Sequence, residues 1–189
     1  MMPRTTGGKG FILQPGDVRL IRGFFPVDKC RSVIEMLANN AMPIDANHPD
    51  FETPHVFQIF RFEKPLFNNI QEIFGPMFDK WKELSNNDIK WEDKRVRPQI
   101  IHYPKGGGFF GRHSHPRHPQ EYGLVLNLTD GPGTMFHFDD GDYQVQAKAG
   151  DLTIFRYDIP HSVPMIDPGS PLEFHRPTGR WTAILPVYE

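Results

Sequence analysis

The chain has 189 residues, a formal net charge of −2 and a single cysteine, Cys30. That length suits one core-bearing domain, the charge leaves no basic excess for nucleic acid or anionic lipid, and one cysteine excludes an intrachain disulfide framework. No apolar run is long enough to span a bilayer and no signal-peptide pattern is visible, so a cytoplasmic protein with neither a membrane nor a nucleic-acid partner is expected.

Met1 to Gly10 is small and polar and reads as a flexible arm. Asp17 to Phe25 reads as a short strand leading into a helix, with Pro26 upstream and Asp28 as its expected cap. Cys30, Val33, Ile34 and Leu37 then recur at helical spacing. Cys30 reads as a small buried hydrophobe on that stripe, because no His or Lys flanks it at helical spacing to activate a thiol. Asn39-Asn40 is the expected stop. Ala41 to Pro54 carries three prolines and reads as a loop, and Val56 to Phe62 alternates as one strand. Ile70, Ile73, Phe74, Met77, Phe78 and Trp81 form a second helical stripe, read as core packing. Gly75-Pro76 inside it predicts a kink or a break.

From Arg95 the pattern changes. Short β-type runs near 96–103, 108–115, 122–129, 134–138, 143–147, 151–156, 161–166 and 180–187 are separated by Gly, Pro and Asp turns. About eight strands with no helical pattern between them predict a double-sheet jelly roll. The expected organisation is a single domain over 1–189, mainly β with flanking helices: the arm at 1–10, a strand and helices at 11–94 packed on the barrel, and the jelly-roll core at 95–189.

Nine histidines are present, and a lone histidine is more often structural than a ligand. His113-x-His115 stands out because residues i and i+2 of a strand face the same way, so two imidazoles can reach one ion. The glycines at 106–108 and 111 clear side chains from the approach. His161, in Ile159-Pro160-His161-Ser162-Val163, is the distant third partner. In a jelly roll the two strands can lie side by side at the barrel mouth. Three histidines would then hold one face of a metal and leave the other open, as an oxygen-activating iron site requires.

Taken together, Leu20–Leu37, Gln99–His115, Leu124–Thr129, Gly150–Val163 and Gly179–Tyr188 resemble, in order and spacing, the iron(II)- and 2-oxoglutarate-dependent dioxygenases of the prolyl-hydroxylase-like branch of the cupin superfamily. The resemblance implies a double-stranded β-helix (jelly roll), with Fe(II), 2-oxoglutarate as cosubstrate and O2. It matches His113 and His161 to the iron histidines, Arg180 to the cation that clamps the far carboxylate of 2-oxoglutarate, and Tyr103 to a tyrosine that bonds the same carboxylate. A guanidinium suits that task because it binds a carboxylate bidentately. Against these roles stand plainer ones: Arg180 as a surface strand residue with Arg176 as the clamp, and Tyr103 as core.

His115 departs from the resemblance, which has Asp or Glu at that position of its HxD motif. Two readings stand: His115 binds metal as a third neutral ligand, or water or a group such as Glu121 takes the place. His137-Phe138-Asp139 spells HxD literally but lacks the upstream Gly-rich element, and reads as a strand end with an acidic turn. Arg112, Arg117 and His118 read as the solvated rim, with an anionic-substrate role as the minority reading. The expected function is oxidation of an unactivated C–H bond of a small molecule, with a peptide side chain left open. The alternatives are a three-histidine cupin-type dioxygenase not using 2-oxoglutarate, and a non-catalytic metal-binding jelly roll. Substrate contacts are expected from 41–54, 104–121 and 167–179.

Overall fold

The computed structural model describes residues 10–13, 18–40, 52–63 and 68–189. The sequence readings for 1–9, Asp17 and 41–51 lie outside the described residues. Gly10 opens a short strand, β1 (Gly10–Leu13), instead of closing the arm, and β1 pairs with β2 (Val18–Ile21).

Helix α1 (Val27–Asn40) buries Cys30, Val33, Ile34 and Leu37, the stripe its spacing predicts. Asp28 is not its cap. The ladder starts from the Pro26 carbonyl, which accepts the Cys30 N–H at 3.2 Å, and Asp28 sits in the first turn, where a carboxylate favours the positive end of the helix. Of the expected kink or break at Gly75-Pro76 there is no break: helix α2 (Asn68–Ser85) continues through Pro76. A proline inside a helix costs about 3 kcal/mol. Burying a Met or Phe side chain contributes about 1.5–3 kcal/mol each, and Met77, Phe78 and Trp81 beyond the proline are all buried. Packing of the second half outweighs the lost donor.

The run expected as one strand at 56–62 is two. His55–Val56 (β3) pairs with the strand at 108–113, and Gln58–Arg61 (β4) pairs with the strand at 99–103, with the buried Phe57 between them. The chain therefore changes sheets at Phe57.

The remaining strands are β5 (Gln99–Tyr103), β6 (Gly108–His113), β7 (Tyr122–Asn127), β8 (Gly131–Phe138), β9 (Gly141–Ala147), β10 (Leu152–Arg156), β11 (His161–Ile166) and β12 (Arg180–Ile184). They build two antiparallel sheets, one ordered β1-β2-β10-β7-β12-β5-β4 and one ordered β3-β6-β11-β8-β9. The protein is a mainly β, cupin-like jelly roll, with two helices among the described residues. The expected strands at 96–103 and 180–187 are each shortened by a proline that lacks a ladder donor. Pro98 precedes β5 and Pro186 follows β12, and Val96 and Val187 meet in an isolated bridge.

Alternation divides the large sheet. Phe60, Ile100, Leu124, Leu126, Leu152, Ile154, Trp181 and Ala183 join the helical stripes in one core. The intervening residues, among them Ile59, Ile101 and Tyr103, cluster with Phe110 and Val163 of the small sheet. A cavity of about 100 Å³ opens between the two sheets.

Candidate metal centre

Antiparallel pairing of β6 with β11 makes His113 and His161 direct cross-strand partners. His115 lies past the end of β6, so it joins the pair by a different route from the expected strand alternation. Its backbone N–H donates to the Tyr157 carbonyl at 3.2 Å, outside the β6–β11 ladder, and its ring stacks on Tyr157 with centroids 4.2 Å apart and planes at 13°. One ring nitrogen from each of His113, His115 and His161 lies within 4.8 Å of the others.

Two rings have their tautomer fixed by the backbone. His113 Nδ1 lies 2.8 Å from the Gly111 carbonyl and His161 Nδ1 lies 2.7 Å from the Ile159 carbonyl. A carbonyl only accepts, so each Nδ1 carries the proton and each Nε2 keeps its lone pair. Burial holds all three rings neutral: it lowers the His113 pKa, brings His115 to about 4 and His161 to about 3, and the neighbouring histidines add to the shift for the latter two. Three neutral imidazoles, His161 buried and His113 and His115 half-buried, with one nitrogen each within 4.8 Å of the others, fit a divalent transition ion. Phe155 and Phe136 pack beside His161, with Phe155 edge-on at 4.8 Å.

Arg180 opens β12 opposite Tyr103 of β5 and is 5 % exposed. Its Nη2 donates to Thr134 Oγ1 at 3.2 Å, and the guanidinium lies 5.4 Å from the centre of the Tyr103 ring. Its Nε and Nη1 are buried without a hydrogen-bond partner among the described residues. Burial lowers the pKa of Arg180 and raises that of the Tyr103 hydroxyl to about 12, so the phenol remains a donor. A buried cation with idle donors costs several kcal/mol unless an anion meets it. Arg180, Thr134 and Tyr103 line the same cavity as the three histidines, together with apolar side chains such as Ile59, Ile101 and Val163.

The other sequence candidates fall elsewhere. Arg176 is exposed and does not line the cavity. Glu121 is engaged with Arg117 at 2.9 Å and His118 at 2.6 Å, and does not join the histidine cluster. Arg112, Arg117 and His118 are exposed. His137 turns to the opposite face of the small sheet from His161, where Nδ1 meets Asp142 at 2.7 Å and Nε2 meets Ser162 at 2.9 Å. Asp139 of the literal HxD takes no part in those contacts. Sequence reasoning missed Thr134 and Tyr157. Tyr157 stands four residues before His161 in the segment that carries the resemblance, whereas Thr134 has no local signal.

No protein-family model matches the chain and no curated protein matches it. Solved structures do match along most of its length. A prolyl-4-hydroxylase from Pseudomonas putida has a TM-score of 0.68 at 17% identity, covering 93% of this chain and 94% of that one. A prolyl hydroxylase from Trichoplax adhaerens, in complex with a hypoxia-inducible-factor peptide fragment, has a TM-score of 0.67 at 11% identity over 90% and 83% of the two chains. HygX from Streptomyces hygroscopicus, with nickel and 2-oxoglutarate bound, gives 0.60 at 10% identity over 90% and 82%. The likeness is one of fold. All three share the jelly roll described above.

Proposed function

We propose that this protein is an iron(II)- and 2-oxoglutarate-dependent oxygenase that oxidises an unactivated C–H bond. The observation that carries the reading is the idle guanidinium of Arg180 in the cavity that holds the histidine cluster. A metal-chelating keto acid with a distal carboxylate answers both features at once: its keto-acid end goes to the metal, and its far carboxylate to Arg180. HygX, of the same fold, is known with nickel and 2-oxoglutarate bound, which supports the assignment.

His113, His115 and His161 would hold the ion through three neutral nitrogens and leave further positions to ligands. Bound iron(II) supplies the coupling of keto-acid decarboxylation to the reduction of O2 and the oxidation of substrate. Arg180 donates from Nε and Nη1 to the distal carboxylate, and the Tyr103 and Thr134 hydroxyls are the neutral polar groups beside it. The Gly111 and Ile159 carbonyls keep the His113 and His161 lone pairs aimed inward. Phe110 stacks on His113 at 3.8 Å and Phe155 lies edge-on to His161, so an apolar ring backs each of the two. The apolar wall suits the hydrocarbon part of a substrate, a small molecule before a peptide side chain.

Anaerobic addition of iron(II) and then 2-oxoglutarate to the apo-protein tests this. The expected result is a visible charge-transfer band that Arg180→Ala abolishes and that His113→Ala prevents by losing the metal. A second reading draws on the absence, among the described residues, of any carboxylate from the His113–His115–His161 cluster: a three-histidine dioxygenase that oxidises its substrate directly. It is favoured if iron binds without a band and turnover proceeds without 2-oxoglutarate.

A further inference from the structure

The charge of the cavity leads past the cosubstrate. Among the described residues lining it there is no aspartate, glutamate or lysine, and Arg180 is the one formally charged side chain. Among the described residues no carboxylate joins His113, His115 and His161 in the cluster. Glu121 is paired with Arg117 at 2.9 Å and does not line the cavity.

A divalent ion adds two positive charges and Arg180 adds one, while three neutral imidazoles add none. A 2-oxoglutarate dianion cancels two of the three. One positive charge is then left uncompensated in a desolvated space, where such a charge is costly. An aspartate at position 115 would have cancelled it. Resting on the proposed function, we infer that the substrate supplies the missing charge: it is an anion, a carboxylate or similar monoanionic group taken up beside the histidine cluster. The protein thus selects its substrate by withholding its own carboxylate. The selection is electrostatic, because the remaining lining is apolar or neutral, and the Gln120 amide is already engaged with Tyr122, Leu185 and Val187.

The test uses the full chain loaded with cobalt(II) and 2-oxoglutarate, and reads binding through the cobalt visible spectrum. The probes are azide, and propionate against propionamide. The wild type is expected to bind azide, and to bind propionate at least about tenfold more tightly than propionamide. His115→Asp, which adds a negative charge, is expected to weaken azide by about tenfold or more. The inference is overturned if propionate and propionamide bind alike, or if azide affinity is the same within threefold in the wild type and His115→Asp. Should 2-oxoglutarate fail to bind, the cosubstrate assignment falls. The same titrations on the cobalt protein alone then decide the anion preference independently, since its excess of positive charge is larger still. If His115→Asp loses the metal, the propionate–propionamide pair in the wild type carries the decision.

Discussion

His113 and His161 are register partners across β6 and β11, and each ring bonds the carbonyl two residues before it, Gly111 and Ile159. The two imidazoles are therefore set by the backbone of the ladder itself, before any ion binds. His115 lacks this support and depends on the face of Tyr157.

That difference gives the first expectation. Tyr157→Leu removes the stacked ring and should weaken metal binding about tenfold, whereas Tyr157→Phe should keep it within about twofold. Competition against a metal chelator at neutral pH measures both. Equal loss in the two variants would show that the hydroxyl matters and the stack does not.

Arg180 separates a ligand-binding role from a structural one. Replacing a buried cation with idle donors by an apolar side chain of similar length should leave the apo-protein neutral to more stable by roughly 1–2 kcal/mol. Arg180→Met should do this and lose 2-oxoglutarate binding. Denaturant melts with calorimetric titration check it. A large destabilisation would mark Arg180 as a structural residue.

Gly123 has no side chain because the Phe155 ring occupies that place, and an added Cβ would meet its tip. Phe155 is 2 % exposed and lies edge-on to His161. Gly123→Ala should destabilise by about 1–3 kcal/mol through overpacking and weaken metal binding through the displaced ring. Thermal melts with and without metal read the two effects separately.

His102 predicts a pH dependence. It is fully buried, stacks on Trp181 at 4.2 Å, and its ring nitrogens meet Gln58 Oε1 at 2.9 Å and the Thr178 carbonyl at 2.8 Å. Burial lowers its pKa from 6.5 to about 4, with Thr178 opposing the shift. The unfolded chain takes up the proton first as pH falls. Stability should therefore be intact above about 6.5 and decline towards pH 4, by at most about 3 kcal/mol from this group. His102→Gln should remove this group's share of the decline in melts across the range and leave the share of His113, His115 and His161.

His137 distinguishes the literal HxD from the cluster. It joins β8, β9 and β11 through Asp142 and Ser162. His137→Ala should cost about 1–2 kcal/mol of stability and leave metal affinity unchanged, whereas a metal role for His137 would abolish binding.

Most of the barrel was legible because its strands alternate between turn residues, and the helices because their stripes keep one period. His113, His115 and His161 were legible as a set through spacing and resemblance. The break at Phe57 was not, because Val56 to Phe62 alternates evenly, and which sheet each half joins depends on β5 and β6 far along the chain. Thr134 was not, because its value lies in reaching Arg180 from the other sheet. His115 was legible for an incomplete reason: its place comes from Tyr157, not from strand alternation.

The histidines His113 and His161 belong to the small sheet and Arg180 to the large one, with Thr134 of the small sheet bonded to Arg180 across the gap. The interval between the histidine cluster and the guanidinium is thus set by how far apart the two sheets stand. Under the proposed chemistry the barrel works as a calliper for its cosubstrate. A keto diacid one carbon shorter would leave one jaw empty, and one carbon longer would have to buckle, so chain length is discriminated by tertiary structure instead of by any single contact.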